Sequence, residues 1–131
     1  MTKPFIPDRD TAIVRYQVAN LDRAVAFYTE ALGFRMIHRA GPIGTVARGH
    51  LHVLLSGPES SGSRPMPDGA AQAPGGWNRI VLYVDDLDAA KSRLDQQKAH
   101  FRNTVESGPG GRQILLDDPD GNPIELHEPP R

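Results

Sequence analysis

Glu125 and His127 lie two residues apart in the closing stretch "DDPDGNPIELHEPP", Asp117–Pro130. On a β-strand, residues i and i+2 face the same side, so this spacing sets a carboxylate beside an imidazole. Such a pair can give two donors to a metal ion or act as a general acid and base. "HLH" places His50 and His52 at the same spacing, and His38 and His100 stand alone at the starts of short apolar segments. The sequence has no cysteine, which excludes disulfides, thiolate metal sites and cysteine nucleophiles.

The elements that must carry these residues occur twice. "IVRYQVANLDRAVAFY" (Ile13–Tyr28) overlays "RIVLYVDDLDAAKSRL" (Arg79–Leu94) at a constant offset of 66 residues. Such internal repetition marks duplicated supersecondary units. Each copy opens with a β-branched and aromatic strand. Asn20 and Asp86 then stand where helix N-caps belong, and Asp22 and Asp88 suit the positive end of a helix dipole. Leu21, Val25, Tyr28 and Leu32 form one apolar helical face, and Gly33 supplies the stop. A second, more polar helix over Leu87–Ala99 buries Leu87, Ala90 and Leu94. Strands are expected near Phe34–Arg39, Thr45–Arg48 and Leu51–Ser56, and again near Phe101–Glu106, Gln113–Asp117 and Ile124–His127. "DPDGN", Asp118–Asn122, is a turn signal. The modules span 12–57 and 77–128 of a single domain over 1–131. They are joined by 58–76, a Pro/Gly/Ser-rich stretch that reads either as a flexible linker or as an ordered lid.

The 131 residues and net charge of -1 show no basic excess of the kind a nucleic-acid partner requires. No apolar run approaches the roughly 20 residues of a membrane span, and "MTKPFIPDRDTAIV" lacks a signal-peptide core. The expectation is a cytoplasmic protein.

"VANLDRAVAFYTEALGF" and "ILLDDPDGNPIEL" resemble the opening strand–helix element and the closing hairpin of the vicinal oxygen chelate superfamily. That superfamily holds glyoxalases, extradiol dioxygenases and bleomycin-resistance binding proteins. The resemblance implies an α+β fold in which two tandem βαβββ modules form a curved mixed sheet around a cleft, usually in a homodimer. It also implies one metal ligand on the first and last strand of each module. In this sequence those positions read Ile13, Val53, Arg79 and Glu125, where Val53 follows from aligning Gly49 with Gly121. Isoleucine and valine offer no lone pair, and arginine is a permanent cation. The expectation is therefore no metal and no cofactor, with Arg79 and Glu125 paired where relatives hold a metal. A metal held by Glu125 and His127 with a donor from a dimer partner stays open. The segment "TKPFIPDRD" reads either as a reach across to a dimer partner or as a frayed tail.

Strand alternation gives an expected cleft lining of Ile13, Arg15 and Gln17, then Leu51, Val53 and Leu55, then Arg79, Val81 and Tyr83, then Glu125 and His127. In this register His50 and His52 face the other way. Trp77 stands at the mouth, either as a stacking surface for a flat ligand or as a core or interface anchor. Of these residues, the ligand-binding set is Arg15, Gln17, Leu51, Val53, Leu55, Trp77, Arg79, Tyr83, Glu125 and His127. The expected function is metal-independent binding of a small aromatic natural product or antibiotic, as in resistance proteins that sequester a drug. The alternatives are a glyoxalase- or dioxygenase-like lyase or isomerase using Glu125 with or without a metal, and a regulatory protein with a vestigial cleft.

Overall fold

The computed structural model describes residues 12–131; the N-terminal segment read above as a reach toward a partner lies outside them. The first module runs β1 (Ala12–Gln17), α1 (Leu21–Ala26), β2 (Arg35–Ala40), β3 (Ile43–Arg48) and β4 (Leu51–Ser56). The second runs β5 (Ile80–Tyr83), α2 (Leu87–Gln96), β6 (His100–Phe101), β7 (Glu106–Gly108), β8 (Gly111–Asp117) and β9 (Pro123–Glu128). Both helices start at the expected caps: Asn20 accepts from the Arg23 amide and Asp86 from the Ala89 amide. Helix α1 widens into a π-helical turn over Phe27–Ala31 before stopping at Gly33, whose φ is +73°. The strand expected over Phe101–Glu106 is two short pieces, β6 and β7, both laid against β8.

The two modules pair alike. Strand β1 runs parallel to β4, and β5 runs parallel to β9. The strand orders are β1-β4-β3-β2 and β5-β9-β8-β6, with β7 also on β8. The curved sheet thus divides at its centre into two open sheets, and side chains close the seam. The Tyr16 hydroxyl donates to the Pro123 carbonyl at 2.8 Å and accepts from the Ile80 amide at 3.1 Å. Asn122 Nδ2 donates to the Gln17 carbonyl at 2.7 Å. The Tyr28 hydroxyl donates to Asp118, a buried carboxylate that also accepts from the Asp120 amide and from the amide and side chain of Asn122. Burial pushes the Asp118 carboxyl up despite these donors.

Helices and sheets enclose one core. Tyr16, Val18, Ile80 and Leu82 are buried in it, with Val14 and Val84 packed against it, as alternation in the two opening strands requires. Strand β4 departs from the expected register. Val14 pairs with Val53 and Tyr16 with Leu55, and side chains of paired residues lie on one face. Leu51, Val53 and Leu55 therefore point to the helices; Val53 and Leu55 are fully buried. His52, Leu54 and Ser56 take the opposite face with Ile13, Arg15 and Gln17. The misplacement has a local cause. Gly49 and His50 form a two-residue turn between Arg48 and its partner Leu51, whereas Asp117 and its partner Pro123 enclose the longer turn Asp118–Asn122. Gly49 and Gly121 are not equivalent, and a one-residue shift moves every side chain to the other face.

Candidate functional site

The faces turned away from the helices are called the cleft face here. In the second module they carry Val81 and Tyr83 of β5 beside Glu125 and His127 of β9, since Val81 pairs with Glu125 and Tyr83 with His127, and Arg79, just before β5, reaches Glu125. Three side chains form a chain of contacts. Arg79 Nε and Nη2 both donate to Glu125 Oε1, at 3.1 and 3.0 Å. His127 Nδ1 lies 3.2 Å from Glu125 Oε2, and its Nε2 lies 2.8 Å from the Gly110 carbonyl. The Tyr83 ring packs edge-on against His127, with centroids 5.7 Å apart. Glu125 is 7% exposed, so these bonds supply the compensation that a desolvated carboxylate needs. Both acceptors facing the imidazole are oxygens, and serving both takes two N–H groups. The Gly110 carbonyl, then Glu125, accordingly raise the His127 pKa above the usual 6.5.

The metal-ligand positions can be reread from strand pairing. Arg15 pairs with Leu54 as Val81 pairs with Glu125, so Leu54 replaces Val53 in the set Ile13, Leu54, Arg79 and Glu125. This donor set does not fit a divalent ion. Its one carboxylate holds a guanidinium, and isoleucine, leucine and arginine offer no lone pair. His52 now faces the cleft, but its paired neighbours are Ile13 and Ala47, while His50 lies in the turn. Among the described residues no group of three or more His, Cys, Asp or Glu is placed to hold a metal ion.

The first module's cleft face is roofed by the chain between β4 and β5. Gln17 Nε2 donates to the Gly62 carbonyl at 2.9 Å, and the Ser63 hydroxyl donates to Gln17 Oε1. Arg15 Nη1 donates to the Ser56 hydroxyl at 2.7 Å. The Gly62 backbone lies so close to Arg15 that a Cβ at 62 would collide with its guanidinium. The far end of the roof is also tied: the Gly75 amide donates to Asn122 Oδ1 at 3.0 Å. Arg102 donates to the carbonyls of Gly76 and Gly121 and stacks over the Trp77 ring at 4.7 Å. Trp77 is still 70% exposed.

Beneath this roof, at the seam, a cavity of about 390 Å³ brings together Arg15, Gln17 and Arg79 with Ala73, Gly75, Asn78 and Asn122. Glu125, His127 and Tyr83 extend from it through Arg79. A smaller space of about 170 Å³ lies beyond His127, against Glu106 and Gly110. A larger cavity, about 460 Å³, opens between the helices on the other side and contains none of the residues expected to bind ligand. Leu54 and Ser56 were not expected on the cleft face, His52 was expected on the opposite one, and Asn78 and Asn122 were not singled out for the site. In "LHVLLS" the polar residues His52 and Ser56 fall on one parity and Leu51, Val53 and Leu55 on the other, which carries the register although Leu54 breaks the alternation. Asn122 was visible only as a turn residue.

The chain belongs to the Glyoxalase/Bleomycin resistance protein/Dioxygenase superfamily, whose model matches residues 12–126. Among solved structures it is similar to a lactoylglutathione lyase from Agrobacterium tumefaciens at 26% identity and a TM-score of 0.71, covering 94% of this chain and 96% of that one. It is similar at 26% identity and a TM-score of 0.73 to TnmS3, an antibiotic binding protein from Streptomyces sp. CB03234, covering 95% of this chain and 99% of that one. A superfamily member from Sphaerobacter thermophilus DSM 20745 shares 28% identity with a TM-score of 0.74, covering 91% and 96%. No curated protein sequence matches the chain. No helix among the described residues is long and apolar enough to cross a membrane.

Proposed function

We propose that this protein binds a small aromatic molecule without a metal, in the roofed cavity at the seam and the cleft face that continues from it. The ion pair of Arg79 with Glu125 carries this reading. It occupies the position where relatives are expected to place a metal, and it leaves a cavity with polar groups converging on one side. Pockets of this size, with a few placed polar groups, are the usual form of a small-molecule site. The similarity to TnmS3, an antibiotic binding protein, supports sequestration of a natural product as the purpose. Val81, Tyr83 and Ile13 are exposed on the cleft face, which supports a homodimer whose second copy or ligand covers them. The ligand-binding set becomes Arg15, Gln17, Trp77, Arg79, Tyr83, Glu125 and His127, with Leu51, Val53 and Leu55 removed.

One observation favours a second reading. The His127–Glu125 contact sets an imidazole 3.2 Å from a carboxylate, the pairing an acid–base couple uses, and a lactoylglutathione lyase is among the similar structures. Two measurements separate the readings. Trp77 fluorescence, followed against a panel of aromatic antibiotics, should saturate with at least one of them. Elemental analysis of protein purified without chelators should find metal far below one equivalent. No response across the panel would count against binding, and stoichiometric metal would revive the enzyme.

A further inference from the structure

We propose that the ligand of this cleft carries a negative charge, which is seated between Arg15 and Arg79. This rests on the binding reading above and gives its ligand class. Both arginines line the seam cavity with Gln17, Asn78 and Asn122, and no carboxylate among the described residues lines it. Arg15 donates to a neutral hydroxyl, that of Ser56, and no acid pairs with it among the described residues. Arg79 has an acid partner, but a shared one: its two donors both fall on Glu125 Oε1, while Oε2 turns to His127. Two guanidinium cations thus have one carboxylate between them, leaving one positive charge.

The wider cleft face has the same bias. In the first module it carries Arg15, Arg35, His38 and His52, through the pairings Arg35 with Ala47, Ala47 with His52, His38 with Thr45 and Thr45 with Leu54. Among the described residues, no Asp or Glu of these strands lies on that face. In the second module Asp117 is matched by Arg102 and His100, and Glu106 lies beyond His127. Arg15 is also held in place. Ser56 fixes one nitrogen and the Gly62 backbone presses on the group. A guanidinium fixed this way presents its remaining N–H groups at set angles, which suits a carboxylate, sulfonate or phosphate. The roof excludes part of the solvent, so the uncompensated charge is felt more strongly than it would be in open water.

The test is a fluorescence titration of the full chain with two probes that share a ring system. One is 8-anilino-1-naphthalenesulfonate and the other is its uncharged counterpart, N-phenyl-1-naphthylamine. The sulfonate should bind about tenfold more tightly, the usual scale of a hydrogen bond to a charged group. Arg15→Gln should remove most of that preference, and Arg15→Lys, which keeps the charge, should retain part of it. Equal affinity for the two probes would overturn the charge assignment and leave cleft binding standing. A preference unchanged in Arg15→Gln would place the anion elsewhere and overturn it too. Binding of neither probe would overturn this proposal and the binding reading together.

Discussion

Arg79 compensates the charge of Glu125. Its side chain is 29% exposed, while that of Glu125 is 9% exposed, so removing the arginine strands a largely buried carboxylate. Breaking such a pair costs more than replacing it whole by apolar groups. Arg79→Met should destabilise the protein by about 2 kcal/mol, between the ranges for surface and buried pairs. Arg79→Met with Glu125→Leu should recover most of that. Urea denaturation of the three proteins measures it, and a double variant no more stable than the single would show that the pair is not what compensates Glu125. This contact was legible in the sequence, because a 66-residue offset aligned β1 with β5 and exposed a cation at a ligand position. Trp77 was less legible. Its ring stacks on Arg102, a residue 25 positions away in a stretch with no recognisable motif.

Among the elements, the β7–β8 turn depends on a side chain from β9. His127 reaches the Gly110 carbonyl while its other nitrogen faces Glu125. Because the folded-state pKa is raised above 6.5, the stabilisation is complete below that unfolded value. It is lost as pH rises through the folded value. The His127 ring resonances in an NMR titration should therefore show a midpoint above 6.5, and exchange protection at Gly110 and Gly111 should fall over the same interval. His127→Gln should abolish that pH dependence. A midpoint at or below 6.5 would mean that the two bonds do not persist in solution. Periodicity made the strands and caps readable, since each signal is local. The register of β4 was not readable from its turn, because Gly49 and Gly121 serve turns of different length; it followed instead from the pairing of β4 with β1, a contact across about forty residues of chain.

The whole molecule is two open sheets joined at a seam, and Tyr16 sits on that seam. Its hydroxyl serves a carbonyl and an amide of the second module, both away from water. Tyr16→Phe removes both bonds and leaves two backbone groups unpaired, at about 1–3 kcal/mol each. The variant should lose about 2–6 kcal/mol, read as a lower urea midpoint. Should the unfolding become biphasic, the modules have come apart before they melt. An unchanged midpoint would mean that the seam is held elsewhere.

The roof has a consequence for the chain as a polymer. Its two ends are tied down, by Gln17 at Gly62 and by Asn122 and Arg102 at Gly75 and Gly76, while the middle from Arg64 to Ala71 is exposed. The residues that bind the modules to each other lie outside that middle, at Tyr16, Tyr28, Asp118 and Asn122. A cut near Met66 would sever the backbone and spare all of these bonds. Once folded, the two halves are held by the seam, and the peptide link between them has already served its purpose of bringing them together.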